Sequence, residues 1–569
     1  MKSAKPDLQE LRHSAAHLLA HAVKELFPDT TLTIGPATPE GFFYDLLPTR
    51  NFKEEDLPAI QERMNEIAAR DLPLTHEQMP KDQACKLFAD NPFKLELIKD
   101  IPGQTVGIAR QGDFYDLCKG GHVPSTGHLK HTKITNISGS YWRADRARQQ
   151  LQRISGVAFF SDKDLQAWHT AREEAQKYDH RRLGKQLDLF SFHDEGVGFP
   201  FFHPKGKVIF NLLVDFMRKK QQELNYQEIS TPILLSDELW KRSGHYQHYK
   251  DNMYFCMIDD QNYAIKPMNC PGAFLFYNER PRSYRELPLR LSEFGLVHRH
   301  ELSGVLHGLM RVRAFTQDDA HIMCTTEQLE SIIGETINLV VTVLKKFEFN
   351  DLTVGLSTKP KKAMGSDELW QQATTALSNA LNKASVKFTI LEGEGAFYGP
   401  KIEFVIKDSM GREWTCSTIQ VDFFQPENFN MTYVAPGGAK ERPVAVHRAI
   451  YGSLERFIAI ILEHFKGNLP FWLSPVQIRV MTITDAQMPY AQDLLAQLKA
   501  QGYRADIDES SDQISAKIKT AQLEKIPWML VLGQKEVDNK TITLRHRDGK
   551  QEFGLNLEKL LEKAKSYDA

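Results

Sequence analysis

Apolar residues first fall into register at Leu8, Leu11, Ala15, Leu18, Ala22 and Leu26, three or four positions apart. That spacing predicts one amphipathic helix. Another face of the same helix carries His13, His17 and His21 at intervals of four. Short β-rich pieces such as GFFYD and DFYDLCKGGHV follow, so residues 1–152 read as an α+β domain. Within residues 153–185, the run SDKDLQAWHTAREEAQKYDHRRL is charged and lacks a thick apolar face, which predicts a solvated connecting helix. Residues 186–468 form the largest unit, mixing helices such as KVIFNLLVDFMRKKQQEL with strands. Residues 469–569 alternate: Val476, Ile478 and Val480 at period two, then Ala491, Leu494, Leu495 and Leu498 at helical spacing, then the runs PWMLVLG and TITLRHR. Strand–helix–strand–helix–strand predicts a small α/β domain of parallel type.

One stretch, MRVRAFTQDDAHI, carries the densest chemistry. In a strand, Arg311, Arg313, Phe315, Gln317, Asp319 and His321 share one face, because side chains alternate with period two. The other parity, Val312, Ala314, Thr316, Asp318, Ala320 and Ile322, is mostly small or apolar and predicts the packed side. The first face reads either as a solvated exterior or as a ligand surface. Arg299 and Glu301 in VHRHELSG again lie two apart, ahead of a loop with Gly304 and Gly308. Arginines on both arms of a strand–loop–strand suit a triphosphate, and Phe315 suits a purine.

Composition narrows the class. At 569 residues, with 41% hydrophobic and 25% charged, the chain is multidomain and globular, neither disordered nor collagen-like. No run of about 18 uncharged apolar residues exists, so no membrane span is expected. The opening MKSAKPDLQELRHSAAHLL lacks a signal-peptide core. Six scattered cysteines point to free thiols or metal ligands in a reducing cytoplasm. Seventy-one basic residues against seventy-three acidic ones advertise no nucleic-acid partner by bulk charge.

Three segments, in order, resemble the signatures of class II aminoacyl-tRNA synthetases: VIFNLLVDFMRKKQQELNYQEISTP ending in Pro232, the Arg299–Glu301 strand–loop–strand, and AIYGSLERFIAII with Gly452 and Arg456. The pieces MNCPG, HGLMRVRAFTQDDAHI, EGAFYGPKIEF and VAVHRAIYGSLER are specifically similar to threonyl-tRNA synthetases of bacterial type, and the likeness covers essentially the whole chain. It implies an editing domain (1–152), a linker helix (153–185), a catalytic domain built on an antiparallel sheet with flanking helices (186–468) and an anticodon-binding domain (469–569). It also implies a cytoplasmic homodimer that acts on L-threonine, ATP and tRNA(Thr).

Position by position, the resemblance gives Arg299 the α-phosphate, Arg456 and Arg311 the bent triphosphate, and Phe315 the adenine. Glu301, Gln317, Lys401 and Gln420 join the substrate and ATP set, Asp319 holds the substrate amine, and His245 assists transfer near the terminal ribose. Mg²⁺ is expected with ATP. Cys270, His321 and His447 match the ligands of one catalytic-site Zn²⁺, although spacings of 51 and 126 residues would never have paired them. Such a zinc would chelate threonine through its amino and hydroxyl groups and so reject valine. Serine has both groups and lacks only a methyl, worth ~1–3 kcal/mol, so a second, hydrolytic site is implied.

His13 and His17 (HxxxH) with Cys118 and His122 (CxxxH) form a four-ligand zinc candidate on bare spacing. The resemblance instead makes them, with Lys94 and Asp116, a metal-free site hydrolysing seryl-tRNA. Lys535, Glu536 and Arg545 match an anticodon-reading surface, in a segment whose fourteen basic and fourteen acidic residues show no charge bias. The family's usual small leading domain is expected to be missing. Ala273, Ala314, Thr415 and Ser417 depart from the family pattern, which leaves nucleotide handling near Thr415 open. Two other readings stand beside ligation: a tRNA-binding paralogue without activity, and a metallohydrolase working through the HxxxH and CxxxH pair.

Overall fold

The computed structural model describes residues 7–145, 147–361, 363–407 and 411–567. Residues 1 and 569, the outer limits of the expected domains, lie outside them. The chain divides into two compact units, Met1–Glu173 and Glu174–Ala569.

In the first unit the opening helix runs Leu8–Leu26. Asp7 accepts the N–H of Glu10, and Glu10 in turn accepts the N–H of Asp7, satisfying two otherwise free donors. Leu11, Ala15, Leu18 and Ala22 are fully buried, as the spacing predicts. They face a four-stranded antiparallel sheet ordered Thr31–Leu32, Phe42–Leu47, Gln150–Ala158, Thr132–Tyr141. The strand Gln150–Ala158 carries this sheet beyond residue 152, past the expected domain limit. A second sheet joins Leu74–Pro80, Thr105–Gln111 and Phe114–Leu117.

Two helices lie between the expected editing and catalytic domains. Asp162–Lys177 buries only Ala175, in keeping with a solvated connector. His180–Gln186 does not fit that description: His180, Leu183 and Gly184 are buried, and Leu183 joins the second unit's core.

The second unit is built on an eight-stranded sheet. Its order is Gln227–Glu228, Leu289–His298, Ala314–Cys324, Val444–Ala449, Glu413–Asp422, Lys401–Lys407, Thr353–Ser357, Thr389–Leu391. Only the two outermost pairings are parallel; every other is antiparallel. Helices Pro204–Glu223, Leu329–Lys346 and Leu454–His464 contribute to one large apolar core with the sheet. Phe347 sits at its centre, meeting Phe457, Trp472, Phe216 and Tyr451 at centroid distances of 4.8, 5.7, 5.9 and 6.0 Å.

The C-terminal sheet is ordered Ala505–Asp508, Ile478–Thr482, Trp528–Leu532, Ile542–His546, Gln551–Leu555. The first three strands are parallel, as the alternation predicts. Ile542–His546 runs antiparallel to Trp528–Leu532, and a tight turn at Gly549, with φ of 95°, joins it to Gln551–Leu555 as a hairpin, which pairs only antiparallel.

Phe347→Ala is expected to cost about 3–5 kcal/mol, since its cavity would have four large neighbours unable to collapse into it. Thermal unfolding of the variant checks this, and an unchanged midpoint would remove Phe347 from the centre of the core.

Candidate functional site

Antiparallel register assembles the first site. His321 pairs directly with His447, His447 with Gln420, and Gln420 with Lys401. Directly paired residues project to one face, so four side chains from four strands form a single row. The two imidazoles meet edge to face, centroids 4.9 Å apart at 82°. Cys270 opens the helix Cys270–Tyr277, and a ligand atom from each of Cys270, His321 and His447 lies within 4.8 Å of the others. All three are buried. Burial drives His321 well below its ordinary value and so keeps it neutral; burial likewise pushes the Cys270 thiol up. His447 Nε2 lies 2.9 Å from Asp422 Oδ2, which leaves Nδ1 as the ring nitrogen for a ligand. A carboxylate behind an imidazole is the arrangement that orients metal-binding histidines. A buried thiol and two imidazoles fit zinc's preference for sulfur and nitrogen.

Beside this cluster a cavity of about 180 Å³ is lined by Arg299, Glu301, Arg311, Phe315, Gln317 and Arg456, with Thr415 among its walls. Arg456 donates through Nε to Met310 O (2.9 Å), and Arg311 Nε lies 3.3 Å from Glu301 Oε2. The Arg299 guanidinium stands 5.1 Å from the Phe315 ring centroid. Burial above all lowers the Arg456 pKa; Arg311 and Arg299 add to it, while Cys416 and Glu301 act against it. The predicted alternation holds from Phe315 to His321 but not before. The strand begins at Ala314, and Arg313 turns away to donate to Glu301 O, Val197 O and Ser303 Oγ.

Asp319 accepts from Asn269 Nδ2 at 3.2 Å, and burial raises its carboxyl to about 6. His245 is fully buried, not a surface residue: Nδ1 lies 2.8 Å from Ser243 Oγ and Nε2 has no partner. Burial, then repulsion from His447 and Arg299, lowers it to about 3.

Asp318 belongs to the packed parity, yet it carries a task that periodicity alone does not show. Its carboxylate accepts the N–H groups of Ile450 (2.9 Å), Tyr451 (3.0 Å) and Gly452 (3.2 Å). These form the turn before Arg456, where Gly452 has φ of 79°. A Cβ at Gly452 would meet Cys416 O at 2.4 Å. The departures Thr415 and Ser417 flank Cys416 at a register shift, and Ser417 Oγ donates to Ile450 O. Burial raises Asp318 to about 6, and raises Glu455, which accepts the Thr316 N–H, to about 7.

In the N-terminal unit all six named residues converge. Cys118 Sγ lies 3.0 Å from His122 Nε2 and 3.5 Å from His13 Nε2. The rings of His13, His17 and His122 form a triangle with centroids 4.7–5.1 Å apart. His17 Nδ1 is 3.1 Å from Asp116 Oδ2, Lys94 pairs with the other oxygen, and Tyr44, which sequence reasoning did not single out, donates to Asp116 at 2.5 Å. Three of the four spaced ligands thus share a centre, while His17 is committed to Asp116. Burial alone would raise Cys118, but hydrogen bonds from His122 and His13 and the nearby charge of His17 outweigh it and bring it to about 3. His17 moves the opposite way, to about 9, as Asp116 and Cys118 outweigh its burial.

In the C-terminal domain Lys535 and Glu536 open the helix Gln534–Asn539. Glu536 accepts from Gly533 N and Thr543 Oγ1 (2.9 and 2.8 Å), and Arg545 lies on the strand Ile542–His546.

Three family models match this chain: the tRNA synthetase class II core domain (G, H, P, S and T) over residues 254–465, the anticodon binding domain over 477–567, and the threonyl and alanyl tRNA synthetase second additional domain over 106–155. The threonine–tRNA ligase of Carboxydothermus hydrogenoformans is 51% identical over 97% of this chain and 88% of its own. The chain belongs to the threonine–tRNA ligase family. The ligase of Caldanaerobacter subterraneus is 52% identical over 97% of this chain and 86% of its own. Among solved structures, the RNA binding domain of threonyl-tRNA synthetase from Cryptosporidium parvum Iowa II superimposes with a TM-score of 0.67 at 41% identity, over 68% of this chain and 98% of that one. Among the described residues no helix is long and apolar enough to cross a membrane.

The imidazoles around Cys118 favour its thiolate at neutral pH. The thiolate absorbance lost in Cys118→Ala is expected to stay constant from about pH 5 to 8; a rise through the ordinary thiol range would show an unperturbed group.

Proposed function

We propose that the chain activates L-threonine with ATP, transfers it to the 3′ end of tRNA(Thr), and hydrolyses seryl-tRNA(Thr) in its N-terminal unit. The observation that carries this reading is one continuous face of the central sheet, with the arginine-lined cavity at one end and Cys270, His321 and His447 at the other. A carboxylate oxygen of threonine attacks the α-phosphorus of ATP and pyrophosphate leaves. Arg299 neutralises charge growing at that phosphorus, Arg456 and Arg311 hold the leaving phosphates, and Phe315 stacks on the base. Glu301 fixes Arg311 and Gln317 lines the same cavity, while Lys401 and Gln420 stand in the row beside His447 for the substrate. Mg²⁺ enters with the nucleotide.

Cys270, His321 and His447 would hold a zinc ion, which would supply Lewis acidity toward an amino group and a neighbouring hydroxyl. Asp319 receives the substrate amine. Valine lacks the hydroxyl and leaves a polar site unpaired, a far larger penalty than a missing methyl. His245, with a pKa near 3, is too weak a base to hold a proton at neutral pH. It offers Nε2 as an acceptor that orients the terminal ribose.

Serine passes the first selection and is removed in the second site. Asp116 orients His17, Lys94 sits on the same carboxylate, and His13 and His122 flank Cys118. These groups place a water and the ribose against the seryl ester. Lys535, Glu536 and Arg545 are proposed for the anticodon, with Glu536 also bracing its own helix. Ile233, Leu234, Phe255, Met257 and Ile258 are exposed apolar side chains on and beside the strands after Pro232, and a second copy of the chain is proposed to cover them.

Threonine-dependent ATP–pyrophosphate exchange tests the main reading: activity with about one zinc per chain is expected, and none from folded, zinc-loaded protein refutes it. Cys270→Ala and His321→Ala are expected to lose zinc and at least 100-fold of that exchange. His13→Ala and Cys118→Ala are expected to keep the zinc and the exchange while Ser-tRNA(Thr) accumulates. Zinc lost from His13→Ala would instead favour a metallohydrolase.

A further inference from the structure

His180 belongs to a segment whose sequence reads as a solvated connector, yet it is fully buried. It opens the helix His180–Gln186, and both its ring nitrogens are engaged. Nδ1–H donates to Glu463 Oε1 at 2.8 Å; Nε2 accepts the backbone N–H of Leu309 at 3.1 Å. The His180 backbone N–H reaches the same Glu463 oxygen at 3.2 Å. Asp179 is nearby but accepts from the Arg181 guanidinium (2.9 and 2.7 Å). Although Asp179, His180 and Glu463 cluster closely enough to hold a cation, the imidazole has no lone pair left to give, so the cluster is not a metal site.

The two partners lead back to one element. Glu463 is near the end of the helix Leu454–His464; Arg456 is in its first turn and donates to Met310 O. Leu309 and Met310 are adjacent and buried, in the loop between the two arginine-bearing arms. The loop is thus tied at Met310 to the start of this helix and at Leu309, through the imidazole, to its end. Gly308 makes the approach possible. Its φ is 48°, and a Cβ there would stand 2.2 Å from His180 Nε2.

We infer that His180 is a positioning residue for the nucleotide: it fixes the Gly308–Met310 loop and thereby the Met310 carbonyl that aims Arg456 into the cavity. This rests on the reading of that cavity as the ATP site. The physical content is preorganisation. A guanidinium already held in place stabilises phosphate charge without reorganising as it forms.

The test is steady-state ATP–pyrophosphate exchange together with calorimetric binding of a non-hydrolysable ATP analogue, on the full chain, with thermal midpoints recorded for each variant. His180→Ala is expected to raise KM for ATP at least tenfold and to weaken analogue binding in parallel, with KM for threonine within twofold. Gly308→Ala, which drives a methyl into the same ring, is expected to reproduce the effect. The double variant is expected to add little to either, because both break one contact. His180→Gln, whose amide oxygen can accept from Leu309, is expected to recover part of the ATP affinity. Folded His180→Ala protein with an unchanged KM for ATP, or with both KM values rising together, overturns the positioning role while leaving the ATP site intact. Wild-type protein that binds no analogue sinks the ATP-site reading and this inference with it.

Discussion

The antiparallel register between Ala314–Cys324 and Val444–Ala449 is the constraint on which the rest depends. It sets His321 against His447, 126 residues further on, and carries the row on to Gln420 and Lys401. A shift of one residue would send every side chain of the strand to the opposite face, taking Phe315, Gln317, Asp319 and His321 out of the site together. Register is held because the other parity is buried, with Ala320 and Ile322 fully covered. Asp318 adds a polar lock, since only this alignment gives its carboxylate the three N–H groups of Ile450–Gly452.

Much of the architecture was legible. The opening helix, the helix Pro204–Glu223 and the alternating C-terminal domain follow from periodicity alone, because each buries one continuous stripe. Local pattern could not reach the pairing of Cys270, His321 and His447, which only the fold brings together; the family resemblance supplied it. It also could not show that Arg313 leaves its strand, since that depends on acceptors at Val197, Glu301 and Ser303. Asp422 and Tyr44 were missed for a similar reason: a single carboxylate or phenol in a strand reads as ordinary until its partner is known. Asp318 did leave a trace, as the one charge in a parity of small and apolar residues.

The two sites treat charge in opposite ways. In the N-terminal unit, burial is offset by pairing: Asp116 has His17, Lys94 and Tyr44, and Cys118 has imidazoles on two sides. In the central sheet the positive charges of Arg299, Arg311 and Arg456 crowd together with few counter-charges. One pocket pairs its charges internally; the other holds three guanidiniums beside the single carboxylate of Glu301.

The carboxylates that brace the turn and strand around Arg456 have a thermodynamic consequence. Asp318 and Glu455 sit near 6 and 7 when folded, against ordinary values of 3.8 and 4.5. Between those limits the native chain retains protons that the unfolded chain has released. Folding therefore takes up protons in mildly acidic solution, and these two groups strengthen the native state as pH falls through that window, opposite to carboxylates whose pKa folding lowers. Above that window the same two groups oppose folding, while three of their oxygens, two on Asp318 and one on Glu455, accept backbone N–H groups where the chain must not move.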